Sequence, residues 1–147
     1  MNYLPLLAFF AGVLITAQTS LNTQLGMLLK SPILATSIAF SVSLLFTLIA
    51  VGLFLNQYPS PAMIKSVPYY LWFTGGLLSA MGVLLFYWLI PKMGAGAMIS
   101  CAMSGQIIFA LLAGHFGWFG LAVKNLTLST VVGCFCLIIG VWLINKN

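Results

Sequence analysis

Residues 16–26 read TAQTSLNTQLG, and this polar run decides how the chain can fold. It carries three carboxamides and four hydroxyls, and long apolar stretches precede and follow it. A buried amide without a hydrogen-bond partner costs roughly 2–7 kcal/mol in an apolar medium. Wherever the run is placed, its amides must therefore find partners. The carboxamides are Gln18, Asn22 and Gln24.

The composition of the chain is that of a membrane protein. Of its 147 residues, 63% are hydrophobic and 3% are charged, with no Asp or Glu. A soluble domain carries roughly 25% charged residues. The net charge of +5 comes from lysines scattered singly along the chain. Phosphate binding needs a basic patch, so no nucleic-acid partner is expected.

Five stretches are long and apolar enough to span a bilayer, which takes about 20 residues. They predict an all-α integral membrane protein with a single five-helix transmembrane domain, residues 1–147, in contact with membrane lipid. The first is read as a transmembrane helix and not as a removable signal peptide. Helix starts are expected at Ser31-Pro32, at Ser66-Val67-Pro68 and after the Asn125-Leu126-Thr127 sequon, whose polar side chains can cap the last helix. The predicted spans are residues 3–25, 32–55, 68–90, 95–113 and 126–144.

Pro91 is expected to lie just past the third span. The connection to the fourth span, residues 91–94, is then short enough to force a tight antiparallel hairpin. Tyr and Trp residues stand near the predicted span ends, where these amphipathic rings favour the headgroup layer. Among them, Trp72 is a candidate gate or interface residue. The belt residues are Tyr69, Tyr70, Trp72, Tyr87, Trp88, Trp118 and Trp142.

The lysines barely specify an orientation. Five crossings place Lys65 and Lys124 on the side of the N-terminus, and Lys30, Lys92 and Lys146 on the other. Orientation follows the excess of Lys and Arg in short cytoplasmic loops, and here the difference is one residue. The lysine count alone leaves two explanations open. A difference of one lysine can arise by chance in a lysine-poor protein, or the protein can insert in both orientations.

Gln18 and Asn22 are the first candidate substrate-binding residues. They are four residues apart, so both project from one face of a helix, whereas Gln24 points elsewhere and is expected at the headgroups. Two interpretations remain open. The pair either hydrogen-bonds a neighbouring helix, at about 0.6–2 kcal/mol per bond, or lines a polar cavity and meets a ligand.

Span four adds Ser104 and Gln106 as candidate substrate-binding residues, and His115 as a candidate gate or interface residue. Small residues elsewhere allow close helix approach and predict a helix-packing or dimer seam. The three cysteines lie in apolar runs and are expected to act as small hydrophobes. With one histidine, no metal-binding cluster and no cofactor are expected. The seam residues are Gly75, Ser79, Gly82, Gly133 and Gly140.

Several segments together resemble the YdcZ family of the drug/metabolite transporter superfamily. They are QTSLNTQLG, PKMGAGAM, GQIIFALLAGHFGWFGL and VVGCFCLIIGVWLI. The resemblance implies a bacterial inner-membrane, multi-pass protein of five helices, half of a ten-helix inverted-repeat transporter. A second copy or a paralogous five-helix subunit would complete it. By position, Gln18, Asn22, Gln106 and His115 match polar positions of the family, whereas Gly114 replaces its common aspartate.

An inverted mate requires a near-zero charge bias, so the resemblance favours dual insertion and an antiparallel homodimer. No enzyme activity is expected, because general acid–base catalysis lacks its usual side chains. The expected function is transport of neutral, zwitterionic or anionic small organic molecules by alternating access. The alternatives are a non-catalytic subunit of a heterodimeric transporter and a small pore.

Overall fold

A computed structural model describes residues 3–146 as a series of helices joined by short connections. A single 3₁₀ turn, Trp118–Gly120, follows the fifth of them. The helices are α1 (Leu4–Leu28), α2 (Pro32–Phe54), α3 (Pro61–Ser66), α4 (Tyr69–Met93), α5 (Ala95–Phe116) and α6 (Leu128–Ile144).

Each predicted span corresponds to one helix. Within residues 3–146, the four helices α1, α2, α4 and α5 are long and apolar enough to cross a membrane. The last helix, α6, is apolar but has 17 residues. At 1.5 Å per residue it measures about 25 Å, close to the lower limit for a spanning helix. The structure therefore supports an all-helical membrane protein with four candidate spans and a shorter apolar helix.

Two boundaries differ from the sequence-based expectation. Pro91 lies inside α4 and not beyond it, so its placement past the third span was wrong. A helix in hydrocarbon continues through proline because the alternative leaves backbone groups without partners. The helix ends instead at Met93, and Gly94 with φ +85° separates it from α5. The short helix α3 was not predicted; Ser60 caps it and Pro61 occupies its first turn.

The predicted caps at two helix starts are confirmed. The Ser31 hydroxyl accepts from the backbone N–H of Leu34 at 3.3 Å, and Pro32 is the first residue of α2. At α6 the Thr127 hydroxyl accepts from the N–H of Thr130 at 3.3 Å. These hydroxyls partner N–H groups that have no acceptor within the first turn of a helix.

The chain divides between Lys92 and Met93 into two compact units. In the first, α1 and α2 form a hairpin through a turn in which Lys30 has φ 51°. Near the turn, a Cβ added at Gly26 would lie 3.3 Å from the Cβ of Ala35, which is fully buried. The missing side chain at position 26 therefore lets the two helices approach closely.

In the second unit, α5 packs along α6. The Asn145 Nδ2 donates to the Ser100 hydroxyl at 3.4 Å, which joins the end of α6 to the first turns of α5. At the opposite end, the N–H of Lys124 donates to the carbonyl of Gly114 at 3.0 Å. The connecting loop is thereby tied back to α5.

Two lysines lie over tryptophan rings one helical turn earlier. The Nζ of Lys92 is 3.2 Å from the ring centroid of Trp88, and that of Lys146 is 5.1 Å from the centroid of Trp142. Cation–π attraction of this kind contributes about 0.5–1 kcal/mol at exposed sites. The pairing of a cation with an amphipathic ring suits the end of a membrane helix.

Gly26→Val tests the close contact between α1 and α2. The larger side chain would meet Ala35, so the helices must separate, and we expect a loss of about 1–3 kcal/mol of stability. Thermal unfolding in detergent measures the loss. Gly12→Val on the same helix is the control, because a Cβ there meets no described atom within 4 Å. Equal losses for the two variants would contradict a tight contact at Gly26.

Candidate functional site

Three of the four hydroxyls of the polar run are satisfied within their own helix. Thr19 and Thr23 are 4% and 2% exposed, and their hydroxyls donate to the carbonyls of Ile15 and Thr19 at 2.7 and 2.8 Å. Ser20 likewise donates to Thr16 at 2.9 Å. Bonds to the carbonyl four residues earlier let threonines be buried without an orphaned hydroxyl. Together with Gly26, the two threonines form the buried face of α1.

The two carboxamides at positions 18 and 22 are paired with each other. The Nδ2 of Asn22 donates to the Oε1 of Gln18 at 2.9 Å. The Nε2 of Gln18 makes a long contact of 3.5 Å to the hydroxyl of Thr19. Among residues 3–146, neither side chain hydrogen-bonds another helix. The two amides therefore partly satisfy each other's hydrogen-bonding capacity along one face of α1. Gln18 and Gln24 are exposed, and Asn22 is half-buried.

Tyr87 of α4 lies beside this pair. Its side chain is 2% exposed, and its hydroxyl has no hydrogen-bond partner among residues 3–146. The side-chain amide of Asn22 faces that hydroxyl, without reaching hydrogen-bond geometry. The expectation that Tyr87 belongs to an interfacial belt was therefore wrong, since a belt residue exposes its hydroxyl to headgroups. Gln18, Asn22 and Tyr87 form what we call the amide–tyrosine cluster, within the first unit.

A sequence signal for Tyr87 did exist. Tyr87 and Trp88 are consecutive residues of a helix and so project about 100° apart. The two side chains can therefore meet different surroundings. Trp88 is 48% exposed and pairs with Lys92, whereas Tyr87 is buried.

Ser104 and Gln106 belong to the second unit. The Ser104 hydroxyl is half-buried and donates to the Ser100 carbonyl at 2.9 Å. Gln106 is exposed on α5. Residues two apart on a helix do not face each other, so the two side chains do not form one binding surface on α5.

The candidate gate residues differ in their surroundings. Trp72 is 54% exposed near the start of α4. His115 is half-buried in the last turn of α5, with its ring centroid 5.0 Å from that of Phe116. Its Nδ1 is buried and has no hydrogen-bond partner within the described part of the chain.

The glycines of the predicted seam are open. A Cβ added at any of them would meet no described atom within 4 Å. Close packing inside residues 3–146 therefore does not use them, and a seam with a second chain stays a prediction, as does the role of Ser79. These glycines are Gly75, Gly82, Gly133 and Gly140.

Two grooves lie apart from the predicted binding residues. One of about 190 Å³ lies between α5 and α6 and is lined by residues such as Ile108, Leu112 and Phe135. Another of about 330 Å³ in the first unit is lined by Pro32, Leu84 and their neighbours. Both linings are almost entirely apolar, so neither offers the hydrogen bonds of a polar substrate site. Within the described residues, no group of three or more His, Cys, Asp or Glu could hold a metal ion.

Comparison with known proteins gives one match. A family model, DMT_YdcZ, with the description "Putative inner membrane exporter, YdcZ", matches residues 3–143. The match spans the amide–tyrosine cluster and every helix except the last residue of α6. No curated protein and no solved structure matches the chain.

A double-mutant cycle tests the pairing of Gln18 with Asn22. We expect the substitutions Gln18→Leu and Asn22→Leu to couple by about 0.6–2 kcal/mol, because each removes the other's partner. Unfolding of single and double variants measures the coupling. A cycle of Gln24→Leu with Asn22→Leu is the control and should be additive within about 0.5 kcal/mol. Additivity in both cycles would refute the pairing.

Proposed function

Since the chain belongs to the DMT_YdcZ family, we propose that it carries small organic molecules across the bacterial inner membrane by alternating access, as one half of a dimer. The family is one of membrane exporters, so the chain is a multi-pass inner-membrane transporter and not a member of an enzyme family. The proposal adds the substrate class, the mechanism and the partner. It takes α6 as a fifth span, which gives a half-transporter of five helices.

The observation that carries the proposal is the amide–tyrosine cluster, which α1 and α4 hold within their membrane-spanning lengths. It holds two carboxamides and a buried hydroxyl within the membrane-spanning lengths of α1 and α4. Polar groups at such positions are costly, and they commonly mark substrate pathways. Their chemistry is hydrogen bonding without charge.

The charge inventory limits the substrate. The chain has no Asp or Glu, so no side-chain carboxylate can neutralise a cation or carry protons. A cation that enters a low-dielectric site without a counter-charge loses the favourable free energy of its hydration, and no attraction to the protein compensates for that loss. Neutral and zwitterionic molecules carry no net charge and so avoid this penalty. An anion pays it in part, because it can accept hydrogen bonds from the N–H and O–H groups of amides and hydroxyls.

The depth of the two glutamines fits a central site. Gln18 lies two residues from the midpoint of α1, or about 3 Å along its axis, and Gln106 lies at the middle of α5. Inverted-repeat transporters hold their substrates near the bilayer midplane. We therefore propose that each glutamine, on its own helix, is a substrate-binding residue.

The proposed partner is a second copy inserted upside down. A chain with an odd number of spans can form an inverted pair only by inserting both ways, and two lysines against three impose almost no bias. Twofold symmetry would then make the two open states equivalent. The open glycines on α4 and α6 offer faces on which a second chain could pack closely.

Proteoliposomes test transport. They are loaded with a defined mixture of sugar alcohols, carboxamides, amino acids, carboxylates and quaternary ammonium salts, and mass spectrometry measures release. We expect saturable release of a neutral, zwitterionic or anionic solute and retention of the cations. Gln18→Leu and Asn22→Leu should lower the rate at least about tenfold, because each removes one member of the hydrogen-bonded amide pair proposed to contact substrate. Gln24→Leu, which lies outside that pair, should not.

Several outcomes would contradict this proposal. Proton-coupled export of the quaternary ammonium salts by the homodimer would refute the argument from missing carboxylates. Simultaneous loss of activity and dimerisation in the leucine variants would assign Gln18 and Asn22 to packing. Release only with a paralogous five-helix subunit would establish the heterodimer, and flux that fails to saturate would establish a pore.

Cysteine labelling in whole cells tests dual insertion. In a background without native cysteines, Tyr3→Cys and Lys146→Cys should each react with a membrane-impermeant maleimide in about half of the chains, because the lysine bias is near zero. The control carries Asn56→Lys and Gln57→Lys, which add two lysines to the connection between α2 and α3 and should favour one orientation. A single orientation without the added lysines would exclude the antiparallel homodimer.

A further inference from the structure

The Tyr87 hydroxyl is a polar group that the fold buries without using. The side chain is 2% exposed, and the hydroxyl has no hydrogen-bond partner among residues 3–146. Buried polar groups nearly always have a partner, so each exception requires a physical explanation. Asn22 faces this hydroxyl, and one of its two Nδ2 hydrogens is committed to Gln18.

The uncommitted groups can be counted. A phenol donates one hydrogen bond and also accepts. Among residues 3–146, the side chain of Asn22 makes one hydrogen bond, from its Nδ2 to Gln18, so its Oδ1 and its second N–H have no partner. Tyr87 and Asn22 together therefore present two free donors, an O–H and an N–H, and one free carbonyl acceptor in a largely apolar environment.

The depths of the two residues agree. Asn22 is six residues before the end of α1, and Tyr87 is six residues before the end of α4. Each lies about 9 Å from the end of its own 25-residue helix and equally far from its midpoint, so both are inside hydrocarbon, between one surface and the midplane. A molecule entering from that surface would reach this pair before the centre of the helices.

We propose that Tyr87 is a substrate-binding residue, and that with Asn22 it selects an uncharged group that donates and accepts at once, such as a carboxamide or a hydroxyl. The inference rests on the proposed transport function and narrows its substrate class. The bound group donates to the Oδ1 of Asn22 and accepts from the hydroxyl of Tyr87. The Tyr87 hydroxyl and the Asn22 carbonyl are then both paired, and the second N–H of Asn22 can donate to the same acceptor.

Charged groups fit the pair less well. A carboxylate only accepts, so it leaves the Asn22 carbonyl without a donor and brings an unbalanced charge into hydrocarbon. A quaternary ammonium group neither donates nor accepts, and the chain has no carboxylate to neutralise it. The pair therefore discriminates by hydrogen-bond pattern.

Three probes that share a phenyl ring test this selection on the purified protein: benzamide, benzoate and benzyltrimethylammonium. Benzamide should raise the unfolding temperature of the wild type, and the two charged probes should not. Tyr87→Phe removes only the hydroxyl and should require about tenfold more benzamide for the same shift. Tyr70→Phe is the matched control on the same helix, because Tyr70 is 63% exposed, and it should respond like the wild type.

The unliganded variant separates binding from structure. If the hydroxyl serves a ligand, Tyr87→Phe without probe should unfold at the same temperature as the wild type or higher, because a buried unpartnered group is gone. A lower unfolding temperature would show that the hydroxyl supports the fold and would overturn the proposal. So would the absence of a benzamide shift in the wild type, an undiminished shift in Tyr87→Phe, or a larger shift with either charged probe.

The transport assay keeps this inference distinct from the proposed function. If the benzamide shift depends on Tyr87 but proteoliposomes release no solute, Tyr87 binds ligand in a protein that is not a carrier. If the wild type and Tyr87→Phe release every solute at equal rates, the result supports the transport function and contradicts a substrate-binding role for Tyr87.

Discussion

Hydrocarbon offers no hydrogen bonds, so the polar groups between residues 16 and 26 that lie inside it must find their partners within the protein. The chain meets this requirement on α1 in two ways. Buried threonines give their hydroxyls to carbonyls one turn earlier, and the carboxamides of Gln18 and Asn22 bond to each other. Both solutions are local, so they need no particular neighbour. A helix that carries seven polar side chains in eleven residues can therefore still pack as a membrane helix.

Hydrogen bonding within α1 also affects how this helix packs against α2. Because Thr19 and Thr23 turn their hydroxyls back to the helix, the face that they share with Gly26 is small and smooth. Ala35 of α2 can then approach Gly26 closely, and the first unit gains its hairpin. The carboxamides stand on an adjacent face of α1, outside this contact. Packing and hydrogen-bond capacity are thus divided between two faces of one helix, so the second can serve a substrate without disturbing the first.

The amide–tyrosine cluster and the absence of carboxylates both favour substrates that are recognised by hydrogen bonds and not by charge. A membrane carrier that holds cations needs a fixed negative charge, and this chain has no acidic side chain. In place of an acidic group, its membrane-spanning helices hold a phenol and two carboxamides, and the carbonyl oxygen of one carboxamide, Asn22, is free among residues 3–146. Such groups distinguish molecules by the direction of their hydrogen bonds. In the proposed dimer they would do so on each copy, and the mate's orientation would place the second cluster nearer the other surface.

Composition and spacing alone determined the membrane class, the helix positions and the caps at Ser31 and Thr127, because apolar length and first-turn hydroxyls act locally. They also indicated that Gln18 and Asn22 share a face, which follows from helix geometry. Tertiary structure decided the rest. It showed that Gly26 is a contact point and that Tyr87 faces Asn22 and not the headgroups. Those facts depend on which helices are neighbours in the fold, and a local sequence pattern does not specify the neighbouring helices.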